Sequence, residues 1–245
     1  MHAPFAPRPA PRFVALLDHR STARYRKDRD GTFFQLQSII MTIIIITMKV
    51  NSKTMAAHRA AILAEAGRLF RRHGIDGVAV ADITGAAGLT HGAFYGHFPS
   101  KSALAAASCR ESLENSAQRW RQRAAAAKRV GAEPIAALID AYLTPARRDQ
   151  PDTSCMLAAL GPEASRDPHL RSAMATGVNA LVAVLSELIA EHRPDAAPAA
   201  HTQAALAALA AMSGGLTLAR TLAGDPDRSA AALQGAAALA KRAAA

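Results

Sequence analysis

Little in this chain supports a disulfide scaffold, a sheet or a catalytic centre. It holds two cysteines in 245 residues, Cys109 and Cys155, and no CxxC pair. Neither a disulfide framework nor a zinc site is expected, and a reducing cytoplasm is the simpler setting. Aromatic residues make up 4% of the sequence, with one tryptophan, Trp120. Alanine-rich and aromatic-poor composition suits packed helices better than strands. There is no HExxH, no GxSxG and no Gly-rich phosphate loop, and no internal repeat. The nine histidines are scattered. Glu163 and Asp167 could share a helix face as a carboxylate pair, but a solvated face accounts for them better. An enzyme, a metal and a cofactor are therefore not expected. The single long apolar run, Ile39 to Ile46, falls short of the ~20 residues that cross a bilayer. Lys49 follows it closely without a small-residue cleavage site, so no membrane partner is expected.

What the chain does have is unevenly placed positive charge. The net charge is +10. Residues 1–47 carry seven basic and three acidic side chains, residues 48–130 thirteen and five, and residues 131–245 nine and eleven. A basic N-terminal half and a slightly acidic C-terminal half fit a chain whose first folded part meets phosphate. Residues 1–47 differ from the rest, with four prolines in the first eleven residues, a basic stretch and then the isoleucine run. They read as a disordered arm or as an extension ahead of a start at Met48.

From Thr54 to about His73, Ile62, Leu63, Ala66, Leu69 and Phe70 recur at helical spacing and mark a buried stripe. Gly74 closes that helix. Val80 to Lys101 then reads as two short helices around a tight turn. Ala81 to Ala87 is the first, with Ile83 and Ala87 on one face. Gly88 ends it as a residue free to take positive φ. Thr90 is placed to cap the second, His91 to Phe98, which Pro99 stops. Gly92, Ala93 and Gly96 keep one face of that second helix small and flat, while Phe94 and Phe98 make the other apolar. A short helix, a glycine turn and a second helix describe a helix-turn-helix, whose second helix enters the DNA major groove.

The residues Ile62, Leu63, Ala66, Leu69, Phe70 and Gly74, then Asp82-Ile83, Ala87-Gly88, Gly92, Phe94-Tyr95, His97-Phe98 and Ser100-Lys101 resemble the DNA-binding domain of the TetR family of transcriptional regulators. The resemblance implies that Thr90, His91, Gly92, Ala93, Tyr95, Gly96 and His97 form the recognition surface and that Lys101 holds a phosphate. One departure stands out. Ala79 occupies the position where the family usually has a capping Ser or Thr, which removes about 1 kcal/mol of helix stability.

Beyond Lys101 the pattern stays helical. A long helix runs to about Ala127, which in the family joins the DNA-binding domain to the ligand-binding body. Further helices are expected at Ile135 to Leu143, from near Cys155 to Ala159 or beyond, at Pro168 to His192, at Ala199 to Leu222 and at Pro226 to Arg242. The segment ARRDQPDTS, residues 146–154, reads as a polar loop. Asp152, Thr153 and Ser154 offer caps that would place Cys155 in a first helical turn, where the helix dipole favours a thiolate. Cys155 is thus a candidate sensing thiol, against the ordinary fate of a cysteine as a small buried hydrophobe. Trp120 is either core or a ligand contact. The last two helices carry so many small apolar residues that a second copy of the chain is expected to cover them, as the last two helices do in the family.

The fold expected is all-α. Residues 48–100 form a three-helix helix-turn-helix domain and residues 101–245 a helical ligand-binding and dimerisation domain. The function implied is a cytoplasmic, homodimeric repressor that leaves a palindromic operator on meeting a small-molecule or thiol-reactive inducer. The competing readings are an inducer-independent DNA binder and, more weakly, an all-α enzyme.

Overall fold

Proline and glycine set most of the helix boundaries in the computed structural model, which describes residues 32–245. Its α-helices are α1 (Thr32–His73), α2 (Val80–Ala86), α3 (His91–Tyr95), α4 (Lys101–Arg129), α5 (Pro134–Tyr142), α6 (Pro145–Asp149), α7 (Met156–Ala164), α8 (Pro168–His192), α9 (Pro198–Thr221) and α10 (Pro226–Ala244), with one 3-10 turn at Pro151–Thr153. No strand occurs among the described residues. Helices α5, α6, α8, α9 and α10 each begin on a proline, where the missing N–H costs nothing. The side chains of Glu133, Thr144, Asp167 and Asp225 cap four of these by accepting from first-turn N–H groups.

The chain divides into two compact units, residues 1–50 and residues 51–245. In the first, the expectation for residues 1–31 concerns residues outside those described. Residues 32–47 are helical rather than irregular, and no proline or glycine between Thr32 and Met48 interrupts them. The second unit has a continuous apolar core. At its N-terminal end Ile62, Ala66 and Phe70 of α1, Ile83 of α2, Phe94 of α3, Phe98 in the turn after it and Leu104 of α4 are buried together. The aromatic rings of Phe94 and Phe98 lie 6.0 Å apart. Further along, α4 packs on α8 and α5, α8 on α9, and α9 on α10.

Helices α8 and α9 have the length and composition of membrane spans. Part of their apolar surface goes to the core: Leu181, Leu185 and Ile189 of α8 and Leu209, Met212 and Leu216 of α9 are buried. Two contacts between helices are close enough to require glycine. A Cβ on Gly177 of α8 would stand 2.5 Å from the Leu113 Cβ of α4, and one on Gly215 of α9 would stand 2.1 Å from the Ala236 Cβ of α10.

The structure corrects residues 146–154. They are not an open polar loop but hold α6 and the 3-10 turn. Thr144 Oγ1 accepts from the Arg147 N–H at 3.2 Å. From α9, the Arg220 guanidinium donates to the carbonyls of Arg147 and Arg148 at 2.9 and 3.3 Å, satisfying the end of the short helix.

Candidate nucleic-acid interface and an internal cavity

The helix-turn-helix forms where the spacing places it, but its second helix is shorter than expected. Helix α3 ends at Tyr95 rather than Phe98. The N–H groups of His97 and Phe98 both donate to the Phe94 carbonyl at 2.9 Å, and Pro99 disfavours helical geometry at the residue before it. Gly88 sits at φ +70°, turning the chain between the two helices. Ala79 has no side chain with which to cap α2. Asp82 supplies the reverse half of a capping box, its carboxylate accepting from the Ala79 N–H at 2.9 Å.

Thr90, His91, Gly92, Tyr95 and Gly96 are exposed, with Ala93 and His97 half-buried. Tyr95, 61% exposed, is the largest apolar surface of the unit's N-terminal end. It stands edge-on to His91 at 5.6 Å and to the buried Phe94 at 5.1 Å, so its ring is held on a fixed base. Thr90 occupies the N-cap position without a capping hydrogen bond, which leaves its hydroxyl for a partner. His97 leans instead on α1, edge-on to His58 at 6.1 Å. The surface is flat because glycines flank the tyrosine, and a Cβ on Gly92 would meet nothing within 4 Å.

Lys101 does more than face outward. Its ammonium donates to the Ile75 and Val78 carbonyls at 3.0 and 3.2 Å, tying the start of α4 to the turn between α1 and α2. An ammonium has three donors, so one remains for a phosphate. For Lys101→Ala we expect weaker binding to every DNA sequence, a salt slope lowered by about one phosphate and a lower melting temperature. Anisotropy titrations at several salt concentrations measure the slope; an unchanged slope would reduce Lys101 to a structural tie.

The arginines of α1 do not line the DNA-facing side together. Arg71 Nε donates to the Asp152 carbonyl at 2.6 Å and its NH1 to Ser112 Oγ at 3.0 Å. Arg68 and Arg72 approach the Asp152 carboxylate at 3.8 and 3.4 Å. Glu163 of α7 accepts from the Ile75 N–H at 3.1 Å. The two carboxylates weighed as a catalytic pair are both structural, since Asp167 caps α8. The 3-10 turn and α7 therefore grip the end of α1 at two points, through Asp152 and Glu163.

Between those points lies Cys155. It is the N-cap of α7 rather than a residue of its first turn, because Asp152 is committed to α1 and Ser154 Oγ is buried without a hydrogen-bond partner. Cys155 lines a cavity of about 440 Å³ together with Trp120, Tyr142, Arg119, Arg147 and Leu181. That volume lies within the range of small-molecule sites. The two residues singled out for sensing, Cys155 and Trp120, thus line one cavity, although they come from different segments. Trp120 stands edge-on to Tyr142 with ring centroids 6.0 Å apart. Burial, then the neighbouring Cys155 thiol, pushes the Tyr142 phenol well above its ordinary range. Cys109 is fully buried, and burial pushes its thiol up to about 12. Among the described residues no group of His, Cys, Asp and Glu could hold a metal ion.

Sequence reasoning missed Tyr142, Arg119 and Arg147 as cavity residues. They lie on α5, α4 and α6 at no regular spacing from Cys155, and only packing unites them.

Residues 62–108 match the family model for bacterial regulatory proteins of the tetR family. No curated protein matches the chain. Among solved structures, the reduced form of Escherichia coli NemR is similar over 74% of this chain and 97% of its own, at 22% identity and a TM-score of 0.60. A TetR transcriptional regulator from Chloroflexus aurantiacus is similar over 76% and 95%, at 24% identity and 0.59. The fatty acid degradation regulator FadR from Bacillus halodurans is similar over 75% and 94%, at 18% identity and 0.57. At these identities the likeness is one of fold.

Proposed function

We propose that this chain, which carries the TetR-family regulator domain on an all-α fold, binds a palindromic DNA operator as a homodimer and releases it when the cavity beside Trp120 and Cys155 takes up an inducer. The observation that carries the DNA-binding part is the flat, exposed face of Thr90, His91, Gly92 and Tyr95 at the end of a helix-turn-helix. Basic side chains supply salt-dependent affinity, and the few side chains of α3 select bases. Selection of bound fragments from genomic DNA tests it. Two half-sites centred ~34 Å or a multiple apart are expected; enrichment of no sequence would favour a non-specific DNA binder.

The dimer follows from α9 and α10. Gly215 and Ala236 bring the two helices together within one chain, yet Leu206, Leu218 and Leu239 remain about half exposed on their outer faces. A second copy presenting the same faces would bury them in a two-fold four-helix bundle.

Release needs a ligand that favours one conformer over another. Cys155 of the cavity wall lies between Asp152, which holds Arg68, Arg71 and Arg72, and Glu163, which holds Ile75. Movement of that wall would therefore shift the end of α1 and the spacing of the two DNA-reading heads.

A thiol-reactive inducer would act at the same wall. The Cys155 thiolate adds to an electrophilic carbon to form a C–S bond, the displaced electron pair taking a proton from water. With Cys109 at 0% exposure and its thiol pushed up to about 12, a mild electrophile should label Cys155 well before Cys109 and release the operator. Cys155→Ser should stay bound under the same treatment. Mass spectrometry and a mobility shift read the two steps, and release of Cys155→Ser at the wild-type dose would leave a non-covalent inducer.

A further inference from the structure

The cavity's charge narrows its ligand further than its volume does. Three guanidinium groups line it, those of Arg119, Arg123 and Arg147, and no Asp or Glu does. None of the three forms an ion pair among the described residues, whereas their neighbours on α4, Arg121 and Lys128, are paired with Glu187 and Glu191. Arg119 gives one N–H to Ser116 Oγ at 2.7 Å, and Arg147 gives its Nε to the Ala141 carbonyl at 3.0 Å. A guanidinium has five donors, so both have several unspent.

The two are also neighbours. Burial, and after it the charge of Arg147, lowers the Arg119 pKa from its usual value. Like charges held together without a counter-ion repel one another, and a bound anion reverses the sign of that interaction. Tyr142 belongs to the same lining at 3% exposure, with its hydroxyl turned into the protein beside the Cys155 thiol, so the polar groups open to the cavity are mainly the arginines. Besides Ser116 and Gln122 the rest of the lining is largely apolar, with the Trp120 ring set edge-on to Tyr142 and Leu138 and Leu181 alongside.

We propose that the cavity takes a small aromatic carboxylate, its anion recognised by Arg119 and Arg147 and its ring packed against Trp120. This rests on the assignment of the cavity as the inducer site. Arg119 and Arg123 stand at the exposed rim and draw the anion in; the half-buried Arg147 receives it deeper. Charge-assisted contacts from a planar guanidinium suit a carboxylate, which accepts two parallel N–H groups.

The chain contains its own probe, because Trp120 is the only tryptophan and its fluorescence reports this wall alone. Matched acid and amide pairs, benzoate with benzamide and 1-naphthoate with 1-naphthamide, are titrated into the full-length protein. The acid of at least one pair should bind at least about tenfold more tightly than its amide, the scale of one charge-assisted contact. Arg119→Gln should erase that preference while leaving the melting temperature unchanged, since its only hydrogen bond is to an exposed-side serine. Arg123→Gln serves as a second variant. Equal binding of acid and amide, no binding by either acid, or an acid preference that survives in both variants would overturn the proposal. Operator release is measured separately. Acid-selective binding that leaves the DNA complex intact would keep the anion site and remove the inducer assignment instead.

Discussion

Alanine at both Tyr95 and His97 is expected to abolish operator binding while helicity and oligomeric state stay those of the wild type. Tyr95 is 61% exposed and held upright by Phe94 and His91, so truncation removes the proposed base-reading group without opening the core. A good base contact discriminates by about 1–3 kcal/mol. Two substitutions repeated in two subunits then amount to roughly a thousandfold or more in affinity. The single variants should differ. Tyr95→Ala should lose most of the sequence preference and keep its melting temperature. His97→Ala should also lower the melting temperature slightly, because His97 packs edge-on against His58. Anisotropy with the selected operator and with a scrambled duplex separates the two effects. Operator affinity unchanged in the double variant would mean that α3 does not read the DNA.

A large loss of stability is expected at Gly177. It lies where α8 crosses α4, and any Cβ there would stand 2.5 Å from the Leu113 Cβ and 2.9 Å from its Cδ1. The nearest atom is bonded directly to the backbone, so a rotamer change cannot clear it and the helices must separate. Gly177→Val should therefore destabilise by about 3 kcal/mol or more, a fall of roughly 6–12 °C in a chain of this size. Truncating Leu113 to alanine should not rescue it, since the colliding Cβ would remain. Gly85→Ala is the control. Nothing lies within 4 Å of a Cβ there, and an exposed helical glycine replaced by alanine should stabilise by about 0.5–1 kcal/mol. A melting temperature for Gly177→Val equal to the wild type would mean that the α4–α8 crossing is looser than this contact requires.

Helix placement was largely legible from residue order, because its determinants are local. Proline at the first helical position, a side chain able to cap, and glycine at the turn act within a few residues, and α8 begins and ends where they place it. The buried stripe Ile62, Ala66 and Phe70 follows from helical period alone. Shortening of α3 was less visible, since it depends on how Pro99 and the Phe94 carbonyl share one turn. Residues 146–154 were misread for a different reason. The group that completes α6 is Arg220, more than seventy residues away, and no local pattern records it.

The candidate site divides in the same way. The turn at Gly88 and the exposed face from Thr90 to Tyr95 were set by steric and capping rules that act along the chain. Charge counting placed basic residues in the N-terminal half, but not their partners: Arg68, Arg71 and Arg72 turn to Asp152, and Lys101 to the Ile75 and Val78 carbonyls. The cavity could be assembled only by packing, since Trp120, Tyr142, Arg147 and Cys155 come from separate segments of the chain. Periodicity encodes which face of a helix is apolar. It does not encode which helix lies opposite, and the meeting of two arginines, a phenol and a thiol depends on that.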